Sequence, residues 1–122
     1  MRILVIDDEP VVRSLVSAVL MDAGYEVAAA ADGEQGLRAA RALLPGLVVL
    51  DVGLPGMNGW DVLRRLRECP EHYRTPVIVL SGLLQDDERR LARSLGAEPI
   101  AKPFTPAALL QAVRGALLVA AA

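Results

Sequence analysis

Hydrophobic residues fall into two rhythms along this chain. Short runs apolar at every position alternate with longer stretches whose apolar residues recur every three or four. Ile3–Leu4–Val5–Ile6, Leu47–Val48–Val49–Leu50 and Val77–Ile78–Val79–Leu80 are of the first kind. Such runs mark strands of a parallel sheet, which helices cover on both faces. Glu26–Ala30, built of small residues, reads as a weaker edge strand, and Pro99–Ile100–Ala101 as a short last one.

Between the strands the spacing turns helical. Pro10 suits a first helical position, Val12, Leu15, Val16, Val19 and Ala23 follow it, and Gly24 is a fitting stop. Asp32 with Gln35 three residues later opens a second helix through Leu37, Ala40 and Leu44 to Pro45–Gly46. Asn58 caps a third, carrying Trp60, Leu63 and Leu66, and Cys69 to Pro76 is loop. Asp86–Asp87–Glu88 before Arg89–Arg90 places acids ahead of bases in a fourth, with Leu91 and Leu95 as its inner face and Gly96 as its end. Thr105–Pro106 opens the fifth, through Leu109, Leu110, Val113 and Leu117. Five strands alternating with five helices predict an α/β doubly wound parallel sheet, and 122 residues fit one domain over 1–122.

Composition narrows the setting. The chain is 53% hydrophobic, enough for a buried sheet, yet its apolar runs fall far short of the ~18 residues of a membrane span. Met1 leads straight into Arg2 and a strand, so no signal peptide is expected. A single cysteine, Cys69, precludes a disulfide framework and fits a reducing cytoplasm. A net charge of −2 and 3% aromatics give no basic patch or stacking platform, so this domain is not expected to grip nucleic acid.

The chemistry lies where the strands end. Asp7–Asp8, Asp51, Ser81 and Lys102 all stand at carboxyl termini of predicted strands, which open α/β sheets bring to one edge. Three crowded carboxylates repel one another and call for a cation; oxygen-only ligands suit Mg²⁺ or Mn²⁺ rather than zinc. Lys102 is the chain's only lysine, against twelve arginines, and offers a compact, movable positive charge. Metal, lysine, hydroxyl and carboxylate together describe a phosphoryl-transfer site.

In these motifs the chain resembles the receiver domains of two-component response regulators. They stand as Asp7–Asp8 after the first strand, Asp51 within D-V-G-L-P-G-M-N-G, Ser81–Gly82 after the fourth and Lys102–Pro103–Phe104 after the fifth. The resemblance implies a flavodoxin-like sheet of order 2-1-3-4-5 and a phosphoacceptor, not an enzyme acting on a separate substrate. Asp51 would receive phosphate from a sensor histidine kinase, a phosphotransfer protein or a small phosphodonor. Asp8 would ligate Mg²⁺ directly and Asp7 through water, with Asp51 and the Gly53 carbonyl completing the set. Lys102 would pair with Asp51 and then with the phosphoryl group, and Ser81 would turn toward a phosphoryl oxygen. Phosphorylation would switch binding to an output partner or a C-terminal domain.

Two positions depart from the family pattern. The residue three before the lysine, usually an aromatic whose rotation reports the hydroxyl's movement, is Pro99, which has no ring to swing. The output would then come from the Ser81–Gln85 loop and the helix after it. Gly53 and Leu83 occupy the positions flanking the hydrolytic water, and neither side chain can hydrogen-bond it, which predicts a long-lived phosphoaspartate.

Other readings are weaker. A degenerate receiver used as a phosphorylation-independent scaffold is argued against by the intact acidic pair, Asp51, Ser81 and Lys102, and kept open by Pro99. Aspartyl-phosphate phosphatases carry a second acid where Gly53 stands and have a cap domain; a nucleotide or flavin module needs a phosphate loop where Asp7–Asp8–Glu9 would repel phosphate. Cys69 and His72 are two ligands where zinc wants about four, and the lone His72 lies in the wrong region for a Ser-His-Asp triad. Trp60 is expected to pack against the loop after Asp51. Leu109, Leu110, Leu117, Leu118 and Val119 cover more than one side of the last helix, with a homodimer surface as the minority reading beside core.

Overall fold

The computed structural model describes residues 1–54 and 56–121; Pro55 of the loop motif and the terminal Ala122 lie outside the described residues. The elements alternate as β1 (Arg2–Ile6), α1 (Pro10–Asp22), β2 (Glu26–Ala30), α2 (Gly33–Leu43) and β3 (Leu47–Asp51). They continue as α3 (Gly59–Glu68), β4 (Val77–Ser81), α4 (Asp86–Ser94), β5 (Ala97–Ala101) and α5 (Pro106–Ala121). The strands form one parallel sheet in the order β2-β1-β3-β4-β5, as the resemblance implied.

Side-chain alternation along the strands builds two cores. Leu4, Ile6, Val48, Leu50, Val77 and Val79 face α2, α3 and α4. Ile3, Val5, Leu47, Val49, Ile78 and Leu80 face α1 and α5, meeting Val16, Leu20, Leu109 and Val113. Every residue of β3 and β4 is buried, which is why these runs carry no alternation in sequence. From β1 the chain passes outward to β2 and returns to β3 on the other side of β1. That reversal opens a crevice at the carboxyl ends of β1 and β3.

Local signals explain most boundaries. The Asp32 carboxylate accepts from Gln35 N–H at 2.8 Å and the Asn58 side chain accepts from Asp61 N–H at 3.0 Å, starting α2 and α3. Thr105 Oγ1 accepts from Ala108 N–H at 3.0 Å at the start of α5. Several expectations need correction. The second helix ends at Leu43, because Leu44 takes a left-handed conformation (φ 49°) ahead of Pro45. β5 begins at Ala97, not Pro99, directly after the left-handed Gly96 (φ 69°) that ends the α4 turn. Pro99 lies inside β5, opposite Val79, tolerated because β5 is an edge strand bonded to β4 alone. The buried residue of α4 is Ala92; Leu91 and Leu95 are only half-buried. Leu15 keeps helical spacing yet is 52% exposed.

Candidate functional site

The end of each inner strand delivers one part of the site. β1 runs into Asp7, whose N–H donates to Ala30 O of β2 at 3.1 Å and whose side chain is fully buried. Asp7 Oδ1 accepts from Glu9 N–H at 3.0 Å, pinning the turn into α1, while Arg13 Nη1 donates to the Asp7 carbonyl at 2.9 Å. Asp8 follows in a more open position. β3 ends in Asp51, 4% exposed, whose Oδ1 accepts from Gly53 N–H at 3.0 Å. Its Oδ2 lies 3.1 Å from Lys102 Nζ. Ser81 closes β4, buried, and its carbonyl accepts from Lys102 N–H at 2.8 Å, holding the ends of β4 and β5 together. The Lys102–Pro103 peptide is cis.

A close approach of backbones supports Asp51 from below. Gly59 N–H donates to Val52 O at 3.2 Å, and a Cβ at Gly59 would lie 2.3 Å from Val52 Cα and 2.5 Å from Asp51 O. Only glycine lets α3 start against the loop that carries the carboxylate.

Carboxylate oxygens of Asp7, Asp8 and Asp51 lie within 4.8 Å of one another. Burial first, and the charge of Asp51 in addition, push the Asp7 carboxyl up to about 6, against the opposing pull of Glu9 N–H and Lys102. Asp7 Oδ2 is buried and has no hydrogen-bond partner among the described residues. A buried carboxylate oxygen without a donor is costly and is satisfied by a cation. The donor set is all oxygen and one-sided, which fits Mg²⁺ or Mn²⁺.

Above these groups opens a cleft of about 510 Å³, with Asp8, Asp51, Ser81 and Lys102 in its walls and Trp60 at its side. Each residue expected at the site is thus brought to this rim: Asp7 and Asp8, Asp51, the Gly53 backbone, Ser81 and Lys102. Gln85 and Glu88 also line the cleft and were not anticipated. Their signal was available, since the first turn after a parallel strand sits at the carboxyl rim. A cleft of about 550 Å³ at the opposite rim, between α5 and the start of β4 and β5, has small apolar walls and no grouped carboxylates. Cys69 and His72 stay apart from the site. Cys69 Sγ donates to Glu71 Oε2 at 2.9 Å, and His72, 1% exposed, has Nε2 2.8 Å from Ala40 O and Nδ1 2.9 Å from Thr75 Oγ1.

Residues 3–114 match the family described as response regulator receiver domain. The chain belongs to that family. The receiver domain is 40% identical over 117 residues to the DNA-binding response regulator MtrA of Mycolicibacterium smegmatis, covering 95% of this chain and 50% of that protein. It is 39% identical over 117 residues to the DNA-binding dual master transcriptional regulator RpaA of Synechocystis, covering 95% and 48%. The chain therefore spans about half the length of these curated relatives. Among solved structures, the chemotaxis protein CheY4 of Vibrio cholerae superposes with a TM-score of 0.89 at 31% identity, covering 94% of this chain and 97% of that one. A response regulator from Chloroflexus aurantiacus gives 0.90 at 33%, covering 96% and 97%. The receiver domain is accordingly a component of two-component signalling. Among the described residues no helix is long and apolar enough to cross a membrane.

Proposed function

We propose that Asp51 is a phosphoacceptor whose modification switches binding to an output partner or to a further domain of the same protein. The observation that carries this reading is the Asp51–Lys102 pair at 3.1 Å inside a three-carboxylate cluster that leaves Asp7 Oδ2 without a donor. Asp51 Oδ attacks phosphorus and forms an acyl phosphate. The P–N bond of a kinase phosphohistidine breaks and the imidazole leaves; with acetyl phosphate the P–O bond breaks and acetate leaves. Lys102, within reach of Asp51, follows the charge onto the phosphoryl oxygens, and the Ser81 hydroxyl donates to one of them. Asp7, Asp8, Asp51 and the Gly53 carbonyl would hold Mg²⁺, which supplies neutralisation of phosphoryl charge.

Pro99 supports an output that uses no aromatic rotamer. It is buried within β5 and has no aromatic side chain to swing. Gly82, Leu83, Gln85 and Glu88 border the cleft instead, the first three of them exposed. The fastest test is incubation with Mg²⁺ and acetyl phosphate, followed by intact mass and oligomeric state, beside Asp51→Ala. One phosphoryl adduct on the wild type and none on the variant is expected, with Trp60 fluorescence reporting metal entry. An adduct that persists in Asp51→Ala overturns the assignment. No shift in residues 82–90 between the apo and beryllofluoride-bound forms overturns the relay.

A further inference from the structure

Helix α4 is held very differently at its two ends. Its carboxyl end is clasped by Arg67 of α3. Arg67 Nε donates to Leu95 O at 2.7 Å and Nη2 to Gly96 O at 3.2 Å, while Nη1 donates to His72 O at 2.9 Å and Thr75 O at 2.8 Å. Leu95 and Gly96 present the carbonyls that a helix end leaves unsatisfied, and a rigid guanidinium fork is the side chain best shaped to collect them. Arg67 is itself anchored, since Val62, Leu63 and Leu66 of its helix are buried in the core. His72 extends the tie through Nε2 to Ala40 O near the end of α2. The amino end has nothing comparable. Among the described residues, and apart from the helix's own backbone ladder, the hydrogen bonds of 82–90 stay within the segment: Gln85 N–H to Glu88 Oε1 at 3.3 Å, Glu88 N–H to Asp87 Oδ1 at 3.0 Å and Arg89 N–H to Gln85 O at 3.0 Å. They form no ion pair.

Resting on the phosphoacceptor reading, we propose that α4 is a lever pivoting on Arg67, with Glu88 at its free end as the group that feels the phosphoryl charge. Glu88 shares the cleft with Asp51, about two helix turns from the clasped end. A phosphoryl group on Asp51 adds negative charge across the cleft from Glu88, with Asp86 and Asp87 exposed on the same first turn. The helix dipole, equivalent to roughly half a positive charge at that end, is outweighed by three carboxylates. The amino end swings away while Leu95 and Gly96 stay with Arg67, and Ala92, the only buried residue of α4, is small enough to roll on the core. The sensing that an aromatic would perform at Pro99 passes to the helix itself.

The test is hydrogen exchange by mass spectrometry on the whole chain with Mg²⁺, before and after acetyl phosphate, with the phosphorylated fraction fixed by intact mass. Wild-type exchange should change in 82–90 and stay unchanged in 93–98. Glu88→Gln should shrink the change in 82–90 by roughly twofold or more, one opposing charge having gone. Arg67→Gln should spread the change into 93–98; if that variant does not fold, the other two arms decide. Equal changes in 82–90 and 93–98 of the wild type refute the pivot, and an undiminished response in Glu88→Gln refutes the sensor. A chain that takes no phosphoryl group refutes the phosphoacceptor reading and the lever with it, whereas phosphorylation with the wrong exchange pattern refutes the lever alone.

Discussion

Replacing Asp7 by Asn separates what the fold prefers from what the site requires. Asp7 is fully buried, has one oxygen on Glu9 N–H and the other without a partner among the described residues, and its carboxyl is raised from 3.8 to about 6. At neutral pH without a divalent ion the folded chain therefore carries this anion against the preference of its surroundings. A displacement from 3.8 to about 6 corresponds to about 3 kcal/mol, an upper bound because Asp51 and Lys102 share the local charge balance. Asparagine keeps an oxygen for Glu9 N–H and removes the charge. Asp7→Asn is thus expected to stabilise the metal-free protein by about 1–3 kcal/mol, or roughly 3–10 °C in Tm for a chain of this size.

The pH dependence gives this its sign. Because the folded pKa lies above the unfolded one, the stability owed to the neutral carboxyl is complete below about pH 4 and is lost as pH rises through about 6. Thermal unfolding in a chelator should show wild type and Asp7→Asn converging near pH 4 and diverging through pH 6. Magnesium should narrow the gap at neutral pH by stabilising the wild type more, through mass action on the folded state. A variant no more stable than wild type in chelator at neutral pH, or a gap that persists undiminished at about pH 4, would refute the claim that this rim holds an unmet demand for a cation.

Two glycines make opposite predictions. Gly59→Ala forces a Cβ against the Val52 and Asp51 backbone and should cost about 1–3 kcal/mol in urea unfolding while slowing phosphorylation; a neutral effect would mean that the loop after β3 yields freely. Gly115→Ala in α5 meets nothing within 4 Å and should stabilise by about 0.5–1 kcal/mol, a loss showing that the position is constrained after all. Leu83 is 71% exposed and, among the described residues, a Cβ at Gly53 meets only Asp51 Oδ1, at 3.5 Å, so Gly53→Asn or Leu83→Glu has room to hold a water. Phosphoaspartate decay followed by intact mass should be slow in the wild type and faster in these variants by about tenfold or more, the scale of water-orienting groups; a fast wild type that neither change alters sinks the idea.

How much of this was legible in the sequence depends on which half of each interaction leaves a mark. Strand ends were legible because a uniformly apolar run that meets a carboxylate, a hydroxyl or a lysine carries its own punctuation, and the sheet order then gathers Asp7, Asp51, Ser81 and Lys102 by geometry alone. The start of β5 was not, because Ala97–Glu98–Pro99 has neither an apolar run nor alternation; its strand state comes from pairing with Val77, Ile78 and Val79. Helical spacing likewise marked Leu15 and Leu91 without saying how much of each helix the sheet covers: one is exposed, and on α4 the small Ala92 takes the buried place. Arg67 and His72 were invisible for a deeper reason. Between them they reach the carbonyls of Leu95, Gly96, Thr75 and Ala40, with His72 O also held by Arg67, and a carbonyl looks the same at every residue. Side-chain-to-side-chain chemistry, as between Lys102 and Asp51, can be read from residue types and strand positions. Side-chain-to-backbone ties depend on where loops bring the main chain, so a guanidinium among solvated-looking arginines can fix one end of a helix without any sign in the pattern.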